Sequence, residues 1–194
     1  MSGLSERQEA HFEALYAASA DPWHVRDAWY EQRKRALLLA SLPQARYASA
    51  FEPGCGNGEL TLALAPRCDR ILACDGSASA IAAATGRVPQ RSGVAIEQRR
   101  LPHDWPAGEA AFDLVVVSEL AYYFPADAWT AMMDRIAASL APGGLLLMCH
   151  CRHPYDDYIT SADFVHGAAH ASAQLAPCVH HMETDFLIDG WLRA

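Results

Sequence analysis

No apolar run in this 194-residue chain approaches the roughly 20 residues that a membrane-spanning helix needs. A stretch such as Leu145 to Cys149 has the length of a buried strand instead. The N-terminal segment MSGLSERQEAHFEAL is polar and lacks the apolar centre of a secretory signal. Cations are scarce: Lys and Arg number 15 against 23 Asp and Glu, for a formal net charge of -8. That balance argues against nonspecific binding to a nucleic-acid backbone, which needs clustered Lys and Arg. The one basic cluster, Arg33-Lys34-Arg35, sits among Tyr30, Glu31 and Leu37 to Leu39 and is expected to form a solvated helix face. There is no internal repeat, low-complexity tract or interdomain linker. Cysteine is present without any sign of export. Cys55, Cys68, Cys74, Cys149, Cys151 and Cys178 lie within or beside apolar segments, as reduced thiols of a cytoplasmic protein would.

What the chain does have is alternation. Tyr47 to Glu52 reads as a strand running into a glycine-rich loop, with a helix over Glu59 to Ala65. Arg70 to Asp75 is an apolar strand closed by an acid, followed by an Ala-rich helix over Ser77 to Thr85 that Gly86 is expected to stop. Val94 to Gln98 is a third strand, and Asp113 to Ser118 is apolar throughout, as a strand covered on both faces should be. In Asp127 to Leu140 the residues Trp129, Met132, Met133, Ile136, Ala137 and Leu140 recur at helical spacing. Pro142-Gly143-Gly144 is expected to turn the chain into a strand over Leu145 to Cys151. Thr160 and Asp163 suit a capping box for a helix over Ala162 to Leu175, and Val179 to Leu192 suggests one or two closing strands. The pattern implies one α/β domain: a mostly parallel sheet with helices on both faces, the segments before Tyr47 being free to cover its ligand edge.

The loop FEPGCGNGELT places Gly54, Gly56 and Gly58 at alternate positions. A dinucleotide fingerprint would put its third glycine at residue 59, where this chain has Glu59. A carboxylate there opposes a pyrophosphate, which favours a nucleotide without phosphates and with an amino-acid end. Glu52, last in the first strand, lies at the pocket floor, where an acid suits a cationic amine. Asp75, last in the second, can accept both hydroxyls of a ribose or cap the helix at Ser77.

The order EPGCGNG, CDGS, FDLVVVSE and LAPGGLLL, over residues 47–151, resembles the Rossmann-like class I S-adenosylmethionine-dependent methyltransferases. DPWHVRDAWYEQRKRALLLASLP and SELAYYF are similar to the nodulation-protein-S type of small-molecule N-methyltransferase. The resemblance implies S-adenosyl-L-methionine as cofactor, with contacts from Glu52, Gly54, Cys55 and Gly56, from Asp75 and Gly76 to the ribose, and from Ser118 and Glu119 near the methionine portion. The adenine contact falls near Arg100 and Leu101, with Asp104 the nearest acid. One domain would span 1–194: a helical cover (1–46), a cofactor core (47–151) and a closing segment (152–194).

A sulfonium methyl is already activated, so positioning the acceptor and excluding water are the main tasks. Glu119 is placed to take a proton or steady charge, or else to make a cofactor or structural hydrogen bond. Tyr122 and Tyr123 flank the same edge or pack the core, and His150 is a second candidate base. Zinc is disfavoured: Cys149 and Cys151 point one way along a strand and His150 the other, with no second ligand pair. Trp23, with Tyr16 and Tyr30, forms an aromatic cover or a helix staple. Arg33 meets the cofactor carboxylate or remains an exposed charge. With no room after the sheet for a substrate domain, the expected acceptor is a small polar molecule, most simply an amine or amino sugar. O-methylation, or cofactor binding without transfer, are the alternatives. Neither a nucleic acid nor a membrane is an expected partner.

Overall fold

The computed structural model describes residues 3–89, 93–106 and 111–194. Among them, seven strands form one sheet in the order β3-β2-β1-β4-β5-β7-β6. The strands are β1 (Tyr47–Pro53), β2 (Cys68–Asp75), β3 (Val94–Gln98), β4 (Phe112–Ser118), β5 (Leu140–Cys151), β6 (Leu175–Met182) and β7 (Phe186–Arg193). The helices are α1 (Glu6–Ala18), α2 (Trp29–Ala40), α3 (Glu59–Leu64), α4 (Ala78–Arg87), α5 (Ala126–Ser139) and α6 (Ala162–His170). The pairs β2–β3, β1–β2, β1–β4 and β4–β5 are parallel, whereas β7 runs antiparallel to both β5 and β6. The chain leaves β1 towards β2 on one side and returns beside β1 with β4 on the other. Loops after β1 and β4 therefore part at the sheet's carboxyl edge, which is where open α/β sheets bind ligands.

Successive residues of β4 feed two separate cores. Val115 and Val117 pack with Phe51, Trp129, Met132 and Trp191, while Leu114 and Val116 pack with Leu38, Tyr47, Ala50 and Leu147. This two-sided burial explains why β4 is apolar at every position rather than at alternate ones. The stripe on α5 is buried as its spacing predicts, from Trp129 through Ala137.

Several boundaries differ from the sequence expectation. Pro142-Gly143-Gly144 lies inside β5, which starts at Leu140 and shifts register against β4 between Phe112 and Leu114. The chain bends there without leaving the sheet. Ser161, not Thr160, caps α6 by accepting from the Phe164 N–H at 3.2 Å, and that helix ends at His170 because Leu175 is already in β6. The tail forms two strands. Gly86 does not end α4, which continues to Arg87 with Val88 as cap. A Cβ on Gly86 would meet nothing within 4 Å. Gly86→Ala should therefore stabilise the fold by about 0.5–1 kcal/mol, by restricting the unfolded chain and favouring the helix. The midpoint of a urea melt at unchanged slope checks this, and a lower midpoint contradicts it.

Candidate active site

The glycine loop hangs from the end of β2. The Gly54 and Cys55 N–H groups both donate to the Cys74 carbonyl, at 2.7 and 2.9 Å, and the Gly56 N–H donates to Asp75 Oδ2 at 3.0 Å. Gly54, Gly56 and Gly58 all have positive φ, from 52° to 81°. A Cβ on Gly56 would collide with the Tyr16 hydroxyl, so glycine lets α1 close over the loop. Asp75 also accepts the Ser77 N–H on Oδ1 at 2.9 Å, at the start of α4. Its carboxylate thus anchors the loop and caps the helix start, and each oxygen keeps lone-pair capacity for a further donor. Burial is the main cause pushing the Asp75 carboxyl above its ordinary value.

A cavity of about 410 Å³ opens on this loop. Glu52 lies at its floor, 3% exposed, where its one hydrogen-bond partner among the described residues is the Thr61 hydroxyl, donating to Oε2 at 2.7 Å. Burial pushes the Glu52 carboxyl up to about 8. A buried acid with a single neutral partner is short of a cation. Gly76 and Ser118 line the same cavity, as do Leu4, Phe12, Arg100 and Leu101. Asp104 accepts the Arg100 N–H at 2.9 Å and lies outside the cavity lining.

The N-terminal helices do form the cover. Glu13 of α1 accepts from Ser77 Oγ at 2.7 Å and Ser79 Oγ at 2.6 Å, fastening α1 to the start of α4. Asp21 accepts the Val25 N–H and the Asn57 amide, at 2.9 and 3.0 Å, which ties the following turn to the glycine loop. Trp23 stands edge-on to Tyr16 with ring centroids 5.4 Å apart and lines the cavity, so it packs on α1 and not as a staple on α2. Tyr30 of α2 lines the cavity too.

At the other end of the cavity Glu119 is the centre of a dense polar cluster. Its backbone has φ of 55°, a left-handed conformation that a non-glycine residue adopts only when its surroundings hold it there. Oε1 accepts from Lys34 Nζ at 2.8 Å, while Oε2 accepts from the Tyr122 hydroxyl and from the Cys151 N–H at 3.2 Å. Tyr122 stacks on Tyr158 at 3.7 Å between centroids, and burial above all drives its phenol well above its ordinary value. Tyr123, Tyr155 and Asp157 complete this wall.

Four sequence expectations need correction. Lys34 is not on a solvated face: it is 4% exposed and lines the cavity between Glu31 and Glu119. Arg33 makes the bidentate pair expected of it, but with Glu183, at 2.6 and 2.7 Å, and lies outside the cavity lining. His150 is fully buried on the opposite face of β5 from Cys149 and Cys151. Its Nε2 accepts the Ala121 N–H at 3.2 Å and its Nδ1 meets His166 Nε2 at 3.0 Å. Burial holds it well below the ordinary imidazole range, and with both nitrogens engaged it is a support for the turn after Glu119 instead of a base. Finally, Glu59 is neutralised by Arg26 at 3.0 Å and by Arg87, so its opposition to a phosphate is weaker than sequence alone implied. The absence of a glycine at residue 59 remains. Lys34 was the residue most easily missed, although it is the chain's only lysine and follows Glu31 by one helical turn.

Comparison with known proteins bears on this geometry. Residues 50–144 match the methyltransferase domain family. A Pseudomonas syringae chain of known structure, assigned as a methyltransferase, is 44% identical, with 86% of this chain and 100% of that one aligned at a TM-score of 0.75. Nodulation protein S of Rhizobium tropici is 33% identical over 137 residues, 70% of this chain but 57% of that protein, so the match spans little more than half of that relative's length. The N-methyltransferase NodS from Bradyrhizobium japonicum WM9, solved with S-adenosyl-L-homocysteine, is 24% identical over 97% of this chain and 99% of that one, with a TM-score of 0.84, a likeness of fold. The chain belongs to the class I S-adenosylmethionine-dependent methyltransferases and resembles, among them, the nodulation-protein-S type.

Proposed function

We propose that the protein moves a methyl group from S-adenosyl-L-methionine to the nitrogen of a small amine or amino sugar. The observation that carries this reading is that one cavity joins the glycine loop, Glu52 and Asp75 to the cluster around Glu119. The first group fits the cofactor. Glu52 is a buried acid without a cation, which suits the amino group of the methionine portion, and Asp75 has lone pairs left for ribose hydroxyls. Leu4 and Leu101 offer apolar surface for a base beside Arg100, and Trp23 with Tyr16 closes over the loop and keeps water out. The homologous N-methyltransferase solved with the demethylated cofactor supports the same assignment. The bound cofactor supplies a methyl on a positively charged sulfur, open to attack by a lone pair.

The chain's own contribution at the acceptor end is orientation and charge. Glu31, Glu119 and Asp157 line the cavity with Lys34, whose ammonium is already paired with Glu31 and Glu119, so the acids around Glu119 favour an amine over a carboxylate. Glu119, already holding three donors, serves better as a fixed anion that orients the acceptor N–H and steadies the charge developing on nitrogen than as a free proton acceptor. The amine must then arrive neutral, and its proton leaves to solvent after transfer. A screen with labelled cofactor over small amines, amino sugars, phenols and carboxylates tests this. Transfer should appear on nitrogen acceptors, with a rate that climbs towards the amine's own pKa, about 8–10 for common amines. Transfer confined to carboxylates, phenols, protein or RNA would overturn it.

A further inference from the structure

Lys34 is the chain's only lysine, and it is buried. Burying an ammonium is costly unless its donors are all placed. Here they are: Nζ donates to Glu31 Oε1 at 2.9 Å and to Glu119 Oε1 at 2.8 Å, and it stands 4.8 Å from the centroid of the Tyr30 ring. An ammonium has three donors, so two carboxylates and an aromatic face leave none for a substrate. Lys34 is therefore poorly suited to bind an acceptor's acid group, although it lines the acceptor end of the cavity. What it does touch is Glu119, whose left-handed backbone needs outside support, and it reaches that residue from α2, across 85 positions of sequence.

We propose that Lys34 is the positioning residue of the acceptor site: it fixes the Glu119 carboxylate from the N-terminal cover, so that the acceptor geometry exists only with α2 docked. Glu31 balances the ammonium and Tyr30 shields it. Tyr122 and the Cys151 N–H hold the other oxygen of Glu119, so three elements, α2, β5 and the turn after β4, converge on one carboxylate. Without Lys34, Glu119 would face Glu31 with no cation between them and would swing from its place. This inference rests on the amine-methyltransferase reading for the identity of the reaction, but not for the existence of the Lys34–Glu119 pair.

The test exploits the lone lysine. Protein labelled with [ζ-15N]lysine should give one side-chain ammonium signal with slow hydrogen exchange. Glu119→Gln should shift it and speed its exchange; a signal indifferent to that change overturns the pairing. In parallel, Lys34→Met should lower turnover on 2-aminoethanol or glucosamine by about 30-fold or more. Its affinity for S-adenosyl-L-homocysteine, measured by calorimetry, should stay within about threefold of wild type. Lys34→Arg, which keeps the charge, should recover much of the rate, and thermal melts of each variant control for folding. Unchanged turnover in Lys34→Met, or affinity lost in step with turnover, overturns the proposal. A wild-type protein that methylates no amine would sink the acceptor reading instead, and the ammonium signal would still decide the role of Lys34.

Discussion

Glu119→Gln is expected to cut turnover by a factor of about 100 or more while leaving affinity for S-adenosyl-L-homocysteine within about threefold. The amide keeps the size of the side chain and can still accept from the Tyr122 hydroxyl and the Cys151 N–H. On the proposed amine reading, what disappears is the negative charge facing a nitrogen that would become positive during transfer, and a preorganised charge in a cavity shielded from water is worth most in that state. The substitution also leaves Lys34 with Glu31 as its remaining carboxylate, so stability should fall by about 1–3 kcal/mol. Turnover measured at temperatures well below the melt separates the two effects. An undiminished rate would remove Glu119 from the chemistry.

The second large effect belongs to Glu52 and is read through pH. Its carboxyl is raised from an ordinary 4.5 to about 8, chiefly by burial, with Asp75 adding to the rise and the Thr61 hydroxyl opposing it. A folded value above the unfolded one means that the native state holds the extra proton between those limits. The associated stability is fully present below pH 4.5 and is lost as pH climbs through about 8. Glu52→Gln removes that loss. The variant should be more stable than wild type at pH 8.5–9, by an amount on the order of a few kcal/mol, with little difference near pH 5. Binding reports the same group from the other side. The cationic amino group of the cofactor would favour ionised Glu52, so binding near pH 7 should release close to one proton. Calorimetry in buffers of different ionisation enthalpy measures that release, and Glu52→Gln should abolish it along with much of the affinity. Binding with no proton release in the wild type would mean that the amino group lies elsewhere.

The parts of the site that could be read from sequence are those fixed by neighbours along the chain. Gly54, Gly56 and Gly58 follow directly on β1, and Glu52 and Asp75 stand at or next to the ends of β1 and β2, so a parallel sheet necessarily brings them to one edge. The apolar run of β4 and the stripe of α5 likewise encode which faces are covered. Short-range capping was less legible: Ser161 took the role assigned to Thr160, and Gly86 stayed helical, because either residue type can serve locally and the packing of the next element decides.

The sequence by itself determined the alternation of strands and helices, the glycine loop and the acids that border it, because each depends on local backbone needs or on a periodicity of two or 3.6 residues. Only the tertiary structure decided the fate of Arg33, Lys34 and His150. Arg33 and Lys34 are adjacent on α2, so their side chains leave the helix about 100° apart, and which one is buried depends on what is packed against each face. The partner of Arg33 lies 150 residues away and that of Lys34 lies 85 residues away, distances over which spacing carries no information. His150 looked chemically apt at the end of β5, but strand alternation turned it away from Cys149 and Cys151 into a buried pair with His166, which α6 brings to it. A charge or an imidazole acquires its role from the groups that desolvate and bond it, and those groups are assembled only by the fold.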